Sequence, residues 1–191
     1  PEGARQAALY AVAAGSRPAG PSEPLYRAFG RLIARFHAAS EDFRIDRPRP
    51  GLDVAAFLDP ALAVLLPCLA ARPADQGFVL QLAERARERL AALAVQGLDW
   101  GVCHGDVSLD NIHVTDDQRL ILFDFDSAGP GWRASDPYGV MTWITRGQPA
   151  FWHAFLDGYQ QLRPLGPADL EALPWFVPVR LLDNLRWHLA D

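Results

Sequence analysis

Cys103-His104-Gly105-Asp106, then Asn111, then Phe123-Asp124-Phe125-Asp126, and last Gly131-Trp132-Arg133-Ala134-Ser135-Asp136 form the most informative run of this 191-residue chain. Between Asn111 and Asp124 lie Ile112-His113-Val114 and Leu120-Ile121-Leu122-Phe123, which flank the polar Thr115-Asp116-Asp117-Gln118-Arg119. Two β-branched or apolar runs around five polar residues predict a β-hairpin with a five-residue turn. Closing that hairpin brings Asp106, Asn111 and Asp124 together, although they are well separated along the chain.

Both flanks of the hairpin carry helical rather than strand periodicity. Ser22 is an N-cap candidate, and Leu25, Phe29, Leu32, Ile33 and Phe36 recur at steps of three and four, so a helix is expected over 23–40. Residues 54–71 suit one or two short buried helices, and 78–93 an amphipathic helix with Leu82, Ala86, Leu90 and Leu93 on one face. Beyond Asp136, helices are expected over 138–145, 149–162 and 168–189, the last kinked near Pro174 or Pro178. Residues 6–14 are weakly strand-like. The expected class is mainly α with a small β-hairpin, an α+β arrangement.

Composition narrows the function. Half the residues are apolar, enough to form a core, and the chain is one domain's length. All 18 cationic side chains are arginines, so any mechanism needing a lysine from this chain is excluded. A net charge of −5 and scattered arginines argue against nucleic acid as a partner. The longest apolar segment, 54–69, is interrupted by Asp59, Pro60 and Pro67, which argues against a membrane span. No basic-then-apolar leader is visible, and Cys68 and Cys103 make no disulfide framework, so a reducing cytoplasm is the expected location.

His104-Gly105-Asp106, four residues, then Asn111 has the spacing of a protein-kinase catalytic loop, and thirteen residues later Asp124-Phe125-Asp126 stands where kinases carry Asp-Phe-Gly. Phosphoryl transfer needs a carboxylate to accept or orient the proton of an attacking hydroxyl, and oxygen ligands to hold Mg²⁺ against the phosphates. The four fixed residues alone would recur by chance in about one chain per thousand of this size. The plainer alternative makes His104 a buried structural histidine, Asp106 a turn former and Asn111 a cap. Together, these motifs and the Gly131-to-Asp136 run resemble the phosphotransferase enzyme family, which includes aminoglycoside phosphotransferases, choline kinases, type II homoserine kinases and RdoA-type stress-response kinases.

The resemblance implies a protein-kinase-like large lobe that takes ATP and Mg²⁺ and phosphorylates a hydroxyl of a small molecule or a protein Ser/Thr. It implies Asp106 as the catalytic residue and Asn111 and Asp124 as Mg²⁺ ligands, with Asp126 a further metal or water-shell carboxylate. His104 and Asp136 would support the backbone of the catalytic loop. Residues 1–20 would be a hinge-strand remnant of a small lobe and 21–191 the helical catalytic lobe. Because the family's small lobe carries a phosphate-contacting lysine, the chain is expected to lack that lobe and to be inactive alone.

Two rivals come from other classes. A degenerate kinase lobe could serve as a non-catalytic binding module. Ile121-Leu122-Phe123-Asp124-Phe125-Asp126-Ser127 also imitates the Asp-x-Asp strand end of a haloacid-dehalogenase-type phosphohydrolase, but those enzymes resemble doubly wound sheets and use a lysine. Elsewhere the residues favour packing. Trp132 and Trp143 suit a core better than a substrate pocket, and Asp110 suits a solvated loop. Asp157, Asp183 and Asn184 suit helix packing better than an acceptor site, and His37, His113, His153 and His188 lack metal-ligand spacing.

Overall fold

The structure, a computed structural model, describes residues 11–44 and 49–189. Helix α1 (Glu23–Ala39) starts where expected, with the Ser22 hydroxyl accepting from Leu25 N–H and Pro24 in the first turn. Its buried stripe includes Tyr26, Phe29, Ile33 and His37 and faces α5 (Pro149–Gln160). Helices α2 (Val54–Cys68) and α3 (Pro73–Val95) both pack on α6 (Pro167–Leu189). Leu58, Leu90, Leu93, Phe176 and Val179 are almost wholly buried in the resulting core. Among the described residues, no helix is long and apolar enough to cross a membrane.

At two glycines the backbones of α1 and α5 approach within direct contact. A Cβ added to Gly30 would strike the Phe155 carbonyl, and one added to Gly158 would strike the Arg27 carbonyl. The two helices are locked beside this contact by Phe29 edge-on to Phe155, with ring centroids 5.6 Å apart. Ala in place of a mid-helix Gly normally stabilises by roughly 0.5–1 kcal/mol. Here overpacking should win, so Gly30→Ala or Gly158→Ala should cost about 1–3 kcal/mol. Urea titration would register this as a lower midpoint at unchanged slope; a raised midpoint would show that the helices do not approach this closely.

Strands β2 (Ile112–Val114) and β3 (Leu120–Leu122) form the expected antiparallel hairpin, with Ile112 opposite Leu122 and Val114 opposite Leu120. A single hairpin proves to be an undercount. Strands β1 (Trp100–Cys103) and β4 (Gly129–Trp132) form a second antiparallel pair, in which Trp100 faces Trp132 and Cys103 faces Gly129. Gly-Pro-Gly-Trp carries no strand signal; long-range pairing and close approach, not propensity, make β4 a strand. Leu52 backs this pair, its N–H donating to the Pro130 carbonyl at 2.6 Å.

Other boundaries shift for local reasons. Residues 54–68 form one helix despite Pro60, and α3 begins five residues early because Pro73 suits a first helical position. Its buried face uses Ala83 in place of half-buried Leu82. The helix expected over 138–145 shrinks to one turn, α4 (Tyr138–Met141), followed by successive turns up to Gly147. Pro174 and Pro178 both lie inside α6, which continues through them. Of the strand-like stretch 6–14, residues 6–10 lie outside the described residues and 11–14 form no strand; Ser16 makes an isolated antiparallel bridge to Val114.

Candidate active site

Strand β1 delivers the chain into His104-Gly105-Asp106, while β4 and a single 3-10 turn (Arg133–Ser135) deliver Asp136 beside it. The Asp136 carboxylate is 2% exposed and accepts from the backbone N–H groups of His104 and Gly105, each at 2.8 Å. It also accepts from His37 Nε2 at 2.9 Å. Burial acts to raise the Asp136 pKa, but the His37 ring and the two backbone donors outweigh it, leaving the pKa below the ordinary carboxylate value. On the far side of His37, Nδ1 lies 2.8 Å from the Tyr159 hydroxyl, whose pKa burial raises far above that of an ordinary phenol. His37 thus bridges the two groups, its Nε2–H serving Asp136 and its Nδ1 sharing a hydrogen bond with the Tyr159 hydroxyl.

His104 ties this loop to the next one. Its Nδ1 accepts from Asp106 N–H at 3.3 Å and its Nε2 donates to the Phe123 carbonyl at 2.9 Å, which selects the Nε2–H tautomer. Phe125 leans on the same imidazole, ring centroids 4.8 Å apart. The Asn111 amide nitrogen donates twice to Asp106, to its carbonyl at 2.9 Å and to Oδ2 at 2.8 Å. The Phe123 N–H closes the hairpin base on the Asn111 carbonyl at 3.1 Å, so Asp124 follows directly. Asp124 has φ of 63°, an uncommon left-handed conformation for a residue other than glycine. Asp106 and Asp124 are both solvent-exposed, whereas Asn111 is buried.

The structure thus joins Asp106 to Asn111, His104 to the Asp124 loop, and Asp136 to His104 and Gly105. Asp126 stands apart: its carbonyl accepts from Arg49 at 2.7 Å, and its side chain is exposed. Among the described residues, no three His, Cys, Asp or Glu side chains gather into a metal cage. The donor set still suits Mg²⁺, a hard cation that commonly takes one or two carboxylates and completes its shell with phosphate and water. Both Asn111 amide hydrogens are spent on Asp106, which leaves the amide oxygen, a hard donor, for a cation.

Packing explains most of the other polar and aromatic residues. Asp110 is an exposed acid 3.6 Å from Arg17, and Asp157 pairs with Arg27 at 3.3 Å. Trp143 donates to the Tyr26 hydroxyl at 2.6 Å, and Trp132 meets Trp100 edge-on. Asp183 binds Arg186 at 2.9 Å, and Asn184 donates to the Tyr138 hydroxyl at 2.9 Å. Sequence spacing missed His37 and Tyr159, which support Asp136, and Arg180, which donates to the Gly105 carbonyl at 2.5 Å. The only local cue to Arg180 is a lone cation within the apolar run Phe176 to Leu182.

Residues 6–174 match the phosphotransferase enzyme family, and the chain belongs to it. An uncharacterized protein of Deinococcus radiodurans is 42% identical over 161 residues, covering 81% of this chain and 46% of its own length. A homoserine kinase of Methylobacterium sp. strain 4-46 is 32% identical over 179 residues, covering 86% of this chain and 51% of its own. The solved structure of a microcompartment-associated aminopropanol kinase superimposes with a TM-score of 0.65 at 22% identity, over 88% of this chain and 55% of that one, a likeness of fold. The chain spans about half the length of the curated relatives it matches.

Proposed function

We propose that this chain is the catalytic-loop lobe of a Mg²⁺-dependent kinase that moves the γ-phosphate of ATP to a hydroxyl of a small molecule or a protein Ser/Thr. The reading rests first on the pairing of Asp106 with Asn111. Asn111 holds Oδ2 of an exposed carboxylate, leaving Oδ1 to accept the proton of an incoming hydroxyl. Oriented in this way, Asp106 aligns the acceptor oxygen and removes its proton as the new O–P bond forms. Mg²⁺, held by the Asn111 amide oxygen and the Asp124 carboxylate, with Asp126 as a further or water-mediated ligand, would offset the charge of the phosphates. His104 keeps the two loops in register, and Asp136 fixes the backbone from which Asp106 projects. The chain has no lysine, so a phosphate-contacting ammonium would have to come from outside these 191 residues.

Two measurements bear on this assignment. The chain alone should release little or no ADP, while a protein extended upstream to the length of its relatives should turn over; equal turnover by the two forms would refute the division of labour. In the extended protein, Asp124→Asn should weaken Mg-nucleotide binding by at least the 10–100-fold that loss of an outer-shell partner typically costs, ~10-fold being the lower bound. Asn111→Ala should act in the same direction but more mildly, because it removes a neutral ligand. Calorimetric titration of Mg-nucleotide reads both, and unchanged affinity in Asp124→Asn would remove that residue from the metal site.

A further inference from the structure

We propose that Arg180 is a positioning residue for the catalytic loop: it pins the peptide plane between Gly105 and Asp106 and so aims the Asp106 carboxylate. The inference rests on the assignment of Asp106 as the catalytic base. Arg180 projects from α6, far from the loop in sequence, and is 7% exposed. Its guanidinium lies between two aromatic rings, 4.2 Å from the Phe57 centroid and 4.8 Å from that of Tyr138. One Nη is 3.6 Å from the Asp183 carboxylate, and the other donates to the Gly105 carbonyl at 2.5 Å.

The same peptide unit is held at its opposite end, where Asp106 N–H donates to His104 Nδ1. Gly105 must be glycine: its φ is +82°, and a Cβ would strike the Ser127 carbonyl. Glycine's backbone freedom makes this peptide plane easy to turn, and the 3.3 Å bond at its N–H leaves the carbonyl end to Arg180. A buried cation is costly to desolvate and is weak evidence for a stabilising role. An apolar side chain of similar length could fill the slot between the rings, and Asp183 would keep Arg186 as a partner. A purely structural Arg180 would therefore tolerate Met with its rate intact, whereas a positioning Arg180 would not.

The test uses the extended protein with Arg180→Met, Arg180→Lys and Asp106→Asn. Arg180→Met should fold and lower kcat by about 10–100-fold, the scale of a slight misplacement of a reacting group. Its nucleotide KM should stay within about threefold of wild type, since no uniform binding is lost. Arg180→Lys, which can still donate to the Gly105 carbonyl, should recover much of the rate. Amide exchange at Asp106 should quicken in Arg180→Met while exchange in the core of α6 stays slow. A wild-type rate in Arg180→Met, no recovery in Arg180→Lys, or melting of Arg180→Met at the assay temperature would each overturn the proposal. Full activity in Asp106→Asn would instead sink the assignment of the base, and the exchange comparison, which needs no turnover, would still decide the role of Arg180.

Discussion

Asp106→Asn in the extended protein is expected to lower kcat by roughly 10²–10⁴, the range for loss of a positioned general base. The substitution preserves shape and can keep a contact with the Asn111 amide through its remaining oxygen, so the loop should stay in place. On the proposed role, what disappears is the capacity to take the acceptor's proton as the O–P bond forms. Initial rates at saturating substrate measure this, and a loss of less than about tenfold would contradict a general-base role.

The second large effect is on stability. Asp136→Ala would strip a shared acceptor from the N–H groups of His104 and Gly105 and from His37, all within the protein interior. Each buried donor left without its acceptor costs about 1–3 kcal/mol, and three are orphaned at once, a large share of a typical domain's stability. The sign of the pH dependence follows from the depressed pKa of Asp136. Its contribution is present above the unfolded value of about 4 and is lost as pH falls through the lower folded value. Urea titrations at neutral pH and in the acid range should show wild type losing this increment on acidification, with the increment absent from Asp136→Ala. Equal stability of the two at neutral pH would contradict the anchoring role.

The parts legible in the sequence are those with local signatures. Helix α1 carries its own cap and apolar period, and the β2–β3 hairpin carries alternation around a polar turn. The pairing of β1 with β4 was not legible, because Gly-Pro-Gly-Trp gains its strand geometry from a partner about thirty residues away. The same divide runs through the site. His104, Asp106, Asn111 and Asp124 sit at diagnostic spacings within one stretch. His37, Tyr159 and Arg180 come from three different helices, and only the packing of α1, α5 and α6 brings them to the loop. Nothing in the sequence near His37 distinguishes a network histidine from a core one.

Separation of the acid–base carboxylate from the metal carboxylate tests the assignment most directly. Calorimetric Mg-nucleotide titration of Asp106→Asn and Asp124→Asn, side by side in the extended protein, should give near wild-type affinity for Asp106→Asn and weakened affinity for Asp124→Asn. Loss of metal binding in Asp106→Asn with binding spared in Asp124→Asn would reverse the two roles and contradict the proposed site.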